Sequence, residues 1–105
     1  MGIQGVKIPK SFQLFGSTVN VITANDIMNE LENYGDSHYS TLTIRLATSN
    51  GVKQLPVDRV EDTFYHELVH MILDSMKEGE LSSNEKFVDT FGKLLRQAIN
   101  TFKYE

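Results

Sequence analysis

The segment Asp58-Arg59-Val60-Glu61-Asp62-Thr63-Phe64-Tyr65-His66-Glu67-Leu68-Val69-His70-Met71-Ile72-Leu73-Asp74-Ser75-Met76-Lys77 holds the strongest periodicity in the chain. Val60, Phe64, Leu68, Met71, Ile72 and Met76 recur at helical spacing and predict one long amphipathic helix. Tyr65, Val69 and Leu73 widen its apolar face, so much of its surface should be buried. Gly79 stands where such a helix would end.

Moving towards the C-terminus, a second helix is expected from Ser82 or Ser83 towards Phe102. Phe87, Val88, Phe91, Leu94, Leu95, Ala98, Ile99 and Phe102 would supply its core-facing side. The short polar link between the two helices implies an antiparallel pair. Moving towards the N-terminus, the text changes to strands and turns. Phe12-Gln13-Leu14 and Val19-Asn20-Val21-Ile22-Thr23 flank Gly16-Ser17, as a hairpin or as one strand bent by a bulge at Gly16. Asn25-Asp26 can cap a short helix through Ile27, Met28 and Leu31, ending near Tyr34-Gly35. Thr41-Leu42-Thr43-Ile44-Arg45-Leu46 alternates as a strand, with Leu42, Ile44 and Leu46 on one side. Ser49-Asn50-Gly51 signals a turn, and Pro56 closes the region. The expected fold is α+β, one domain over residues 1–105, with a small N-terminal antiparallel sheet followed by two packed helices.

Within the long helix stands His66-Glu67-Leu68-Val69-His70. Residues four apart share a helix face, so both imidazoles can grip one ion, and neutral imidazole suits Zn2+. Glu67 lies about 100° further round the axis, since a turn takes about 3.6 residues. It is thus beside the metal, where it can take a proton from a zinc-bound water as general base. The bland alternative is a pair of ordinary helix-surface histidines, because so short a pattern also arises by chance.

An open zinc site needs a third protein ligand. Glu85 is the candidate: fourteen residues separate it from His70, enough to finish one helix, turn and return. Asp74, two turns from His66, is the reserve, or an outer partner of His70, or solvated. Glu85, Asp89, Gly92 and Arg96 form one stripe of the second helix. Asp89 is therefore placed to accept the outer N–H of a metal-bound histidine. Gly92, costly in a helix interior, would allow close approach of the two helices. Against the ligand role, Ser82-Ser83-Asn84-Glu85 also spells a capping box, with Glu85 reaching back to the Ser82 N–H.

Composition narrows the classes. The net charge of −4 leaves no basic surplus for nucleic acid. With no cysteine there are no disulfides, thiolate sites or cysteine nucleophiles, which fits a cytoplasmic protein. No stretch is apolar enough to span a membrane, no signal peptide is expected at Met1–Lys7, and Val6 spoils a myristoylation pattern at Gly2.

His66-Glu67-x-x-His70 followed by Asn84-Glu85-x-x-x-Asp89 resembles the gluzincin pattern of zinc metallopeptidases. It is most similar to minimal zincin-like domains such as the ImmA/IrrE-type peptidases often carried by phages and mobile elements. The resemblance covers Thr63 to about Asp89. It implies His66, His70 and Glu85 as zinc ligands, Glu67 as base, Asp89 as the orienting carboxylate, and a sheet preceding the two helices. The spacer to Glu85 is shorter than in thermolysin-like enzymes, and the second domain that shapes their cleft is missing. Tyr65, His38 and Tyr39 are the candidates for stabilising an oxyanion. The implied activity is a metalloprotease acting on a protein or peptide substrate, with Thr41–Leu46 as an edge strand for an extended chain. The alternative is a metal-stabilised protein-binding module without hydrolysis. The sequence leaves substrate, pathway and oligomeric state unread.

Overall fold

The computed structural model describes residues 7–105; the expectations for Met1–Val6 fall outside them. The elements in order are β1 (Ser11–Leu14), β2 (Ser17–Thr23), α1 (Asn25–Leu31), β3 (Gly35–His38), a 3-10 turn (Tyr39–Thr41), β4 (Thr43–Leu46), α2 (Val57–Ser75), α3 (Gly79–Ser82) and α4 (Glu85–Asn100). The architecture is α+β, a four-stranded N-terminal sheet followed by packed helices.

β1 and β2 form a hairpin, not a bulged single strand. Phe15 (φ 51°) and Gly16 (φ 78°) both take left-handed conformations. A two-residue loop of that kind matches the twist of the flanking strands. The strand order is β1-β2-β4-β3. β1–β2 and β3–β4 are antiparallel, but β2 and β4 are parallel, so the sheet is mixed where an antiparallel one was expected. The reason lies in α1 and β3. The chain leaves β2 through α1, enters at the far edge as β3, then doubles back to slot β4 beside β2.

Thr43–Leu46 is therefore an inner strand, and the expected edge at Thr41–Leu46 is corrected. Ile44 and Leu46 are buried on the core face, which favours this strand for the doubly paired position. The edges of the described sheet are β1 and β3, the latter Gly-Asp-Ser-His, too polar and short to announce itself by alternation. Its closeness to α2 depends on Gly35. A Cβ there would meet Thr63 Cγ2 at 2.6 Å and the Arg45 carbonyl oxygen at 2.9 Å.

α2 is the central layer. Phe64, Tyr65 and Met71 pack with Val19, Ile44 and Leu46 of the sheet. Val69 and Leu73 meet Val88 of α4. Met28, Ala47, Leu55 and Val60 seal the end beneath α1. Having both sheet and α4 as neighbours buries α2 on much of its surface, as its sequence predicts. It stops at Ser75: Lys77 takes the left-handed conformation (φ 64°) and the Glu78 N–H closes on the Leu73 carbonyl at 2.9 Å. Gly79 instead opens the one-turn α3. α4 buries Val88 and Gly92, while Phe91, Leu94, Ile99 and Phe102 are substantially exposed. Its apolar stripe is wider than the cover that α2 and the short α3 give it.

Candidate metal centre

His66 and His70 project from one face of α2, with ring centroids 4.9 Å apart. α4 runs back along α2, so that its start faces His70 and its end faces Glu61. The crossing is closest at Gly92, where a Cβ would lie 3.2 Å from the His66 nitrogen and 3.3 Å from its Cα. Any larger residue would press on the backbone of α2 there, so glycine permits the close approach its sequence position suggested.

This approach brings Glu85 over the histidines. Its Oε1 lies 3.2 Å from His66 Nε2 and 3.6 Å from His70 Nε2. One donor atom from each of the three residues falls within 4.8 Å of the others. Around a tetrahedral ion with bonds of about 2.0–2.1 Å, neighbouring ligand atoms are spaced by about 3.3–3.4 Å. The donor types suit zinc, and the two carboxylate–imidazole spacings lie close to that value. Glu85 is 69% exposed along its side chain, so the cluster opens to solvent on its outer side.

The outer nitrogens have partners too. His66 Nδ1 is 3.5 Å from Asp89 Oδ1, and Asp89 also accepts from Lys93 at 3.0 Å. Lys93 is the main cause holding the Asp89 carboxyl below its ordinary value. His70 Nδ1 is 3.0 Å from the Ser82 hydroxyl. Among the described residues Asp74 makes no hydrogen bond to His70, although it lines the same depression.

The capping-box alternative for Glu85 is ruled out locally. The Ser82 N–H already donates to the Glu78 carbonyl at 3.0 Å, within α3. Asn84 caps α4 instead, its Oδ1 accepting from the Phe87 N–H at 3.0 Å. Glu85 and Ser82 are thereby both released to face the histidines.

Glu67 is 7% exposed, at the floor beside β3. Burial pushes its carboxyl up to about 7; His66 and Ser37 beside it pull the other way, and Asp36 and Glu85 add to the rise. A cation at the cluster would draw it down again. Two depressions meet at His66 and Glu67. One, about 540 Å³, lies between β3 and the His70–Ser82–Glu85 side. The other, about 410 Å³, runs out past Tyr34, Arg59 and Lys93.

None of the oxyanion candidates lines either depression. Tyr65 is in the core, edge-on to Phe64 at 5.1 Å. His38 Nε2 lies 3.3 Å from Asp36, and Tyr39 sits under Lys77 at 5.4 Å. Tyr34, Ser37 and Ser82 border the site without any sequence signal beyond their nearness to Gly35 and Glu85. No family model, curated protein or solved structure matches this chain.

Proposed function

We propose that the chain is a zinc-dependent peptidase of minimal zincin-like type. One observation carries the reading: two imidazole Nε2 atoms converge on one Glu85 oxygen while a buried carboxylate, Glu67, stands next to them at the meeting point of two depressions. A zinc ion in that cluster would supply polarisation of a carbonyl and acidification of water. His66, His70 and Glu85 are the residues that would hold it. Ser82 and Asp89 orient the two rings through their Nδ1 atoms. Glu67 takes the proton of the attacking water and passes it to the departing amine, a role its shielded position suits.

The substrate side of the proposal rests on β3. Among the described residues its outer edge is unpaired, and its residues Gly35, Asp36 and Ser37 line the larger of these two depressions. An extended peptide added there as a fifth strand would run past Glu67. The burial of Glu67 favours hydrolysis over a metal-stabilised binding module, because a carboxylate held out of water for no chemistry is costly. A cytoplasmic location belongs to this reading, supported by the cysteine-free chain. Among the described residues no helix is long and apolar enough to cross a membrane.

The test is the Glu67→Gln variant. It should keep zinc and fold while turnover falls by about 10²–10⁴. A protein partner trapped by that variant serves as substrate. If the wild-type protein with zinc leaves this partner uncut, the peptidase reading fails and the binding module replaces it.

A further inference from the structure

The chain has three arginines. Two are answered by carboxylates: Arg45 grips both oxygens of Asp36, and Arg96 is shared among Asp58, Glu61 and Asp62. Arg59 has no carboxylate partner among the described residues. Its guanidinium lies on the face of Tyr34, 4.3 Å from the ring centroid. The ring holds the charge by a cation–π contact at an exposed rim, and no carboxylate among the described residues claims its N–H groups.

Both residues line the 410 Å³ depression together with His66 and Glu67. Asp62, Asp89 and Glu67 share its walls; Asp89 is paired with Lys93 at 3.0 Å, and Asp62 reaches, at 3.5 Å, the Arg96 guanidinium that Asp58 and Glu61 also share. The cation of this depression that no carboxylate claims among the described residues is therefore the planar guanidinium of Arg59. Such a fork pairs with a carboxylate through two parallel hydrogen bonds. A phosphate dianion is a poorer match, because one unpaired guanidinium faces it and three carboxyl groups, Asp62, Glu67 and Asp89, line the same depression.

We propose that Arg59, backed by Tyr34, is a carboxylate-binding subsite, and that the substrate is a polypeptide carrying an acidic group close to the bond presented to Glu67. This rests on the peptidase reading for its biological meaning, but the subsite is testable without catalysis. The carboxylate comes from an Asp or Glu side chain or from a free chain terminus.

The experiment is an NMR titration following the Arg59 Nε–H and Tyr34 ring signals, on metal-free and zinc-loaded protein. Three peptides are compared: one capped at both ends with a central Asp, its Asn counterpart, and the Asn peptide with a free C-terminus. The expected result is saturable shifts at Arg59 and Tyr34 with a carboxylate peptide, with or without zinc, and affinity lower by about tenfold or more for the fully capped Asn peptide. Arg59→Gln should erase the preference, while Arg59→Lys, keeping charge but not the fork, should retain part of it. Which carboxylate peptide binds tighter identifies the source. Equal response to all three peptides, no response at Arg59, or a preference surviving Arg59→Gln would overturn the subsite. Zinc content and cleavage of the trapped partner are measured separately, so the peptidase reading can fail or stand independently.

Discussion

The Ser82 hydroxyl lies 3.0 Å from Nδ1 of His70, although the two residues belong to different helices. The contact fixes the His70 ring so that Nε2 faces Glu85. It also separates two roles that the serine–asparagine stretch confuses in sequence. Ser82→Ala should weaken zinc binding by about 10–100-fold, the usual effect of losing an outer partner. Folding stability should barely change. Asn84→Ala should do the reverse, costing about 1 kcal/mol of stability through the lost cap while zinc affinity holds. Chelator competition and urea unfolding on the same two variants check the pair; identical behaviour would contradict this division of labour.

The ligand set makes a sharper demand. His66→Ala, His70→Ala and Glu85→Ala should each abolish stoichiometric zinc at a concentration that saturates the parent protein, since two protein ligands hold the ion poorly. Asp74→Ala should not. Metal analysis of purified variants is sufficient, and retention of zinc by Glu85→Ala would return the third-ligand role to Asp74.

Gly92 offers a test of geometry alone. An added methyl would press on the His66 backbone at 3.2–3.3 Å, and backbone cannot swing aside as a side-chain tip does. Gly92→Ala should push α4 outward and weaken zinc, because Glu85 and Asp89 move with it. The helix itself gains up to about 1 kcal/mol from alanine. Zinc affinity should therefore drop with little loss in urea midpoint. Unchanged affinity would show that the helices tolerate the spacing.

Stability should depend on acid through Glu61. Only 4% exposed, it would be raised by burial alone, but hydrogen bonds from Arg96, Asn100 and the Lys7 N–H outweigh that and hold it below its ordinary 4.5. A lowered folded value means that the contribution is complete above about 4.5 and drains away as pH falls towards the folded value. Asp36, held down chiefly by Arg45, acts in the same direction from 3.8. Arg96→Ala leaves a buried carboxylate without its cation and should cost about 3 kcal/mol at neutral pH. It should also flatten or reverse the acid limb in unfolding measured from pH 3 to 7. A variant retaining the parent's pH profile would remove Glu61–Arg96 as its source.

The two long helices, though not the one-turn α3 between them, were legible because their signals are local. Apolar spacing from Val60 to Leu73 is a property of consecutive residues, and a four-residue interval on a helix puts His66 and His70 on one face whatever surrounds them. The return of Glu85 followed from a short link between two such helices. The break at Gly16 was readable for the same reason, as a turn depends on its own few residues, but that it makes a hairpin and not a bulge came from the pairing of β1 with β2.

Pairing and edges depend on residues far apart in sequence, and there the tertiary structure decided. Nothing in Gly35–His38 announces a strand; it becomes one because β4 offers it a partner, and its place at the rim leaves the edge beside Glu67 free. The parallel β2–β4 pair exists because α1 and β3 intervene. Ser82-Ser83-Asn84-Glu85 carried two competing local readings, a cap and a site. Only the folded chain chose, by committing the Ser82 N–H to Glu78 and bringing α4 against His66 at Gly92. The sequence by itself determined which side chains share a helix face. Which of them meet across helices was settled by the distance at which two backbones can pack.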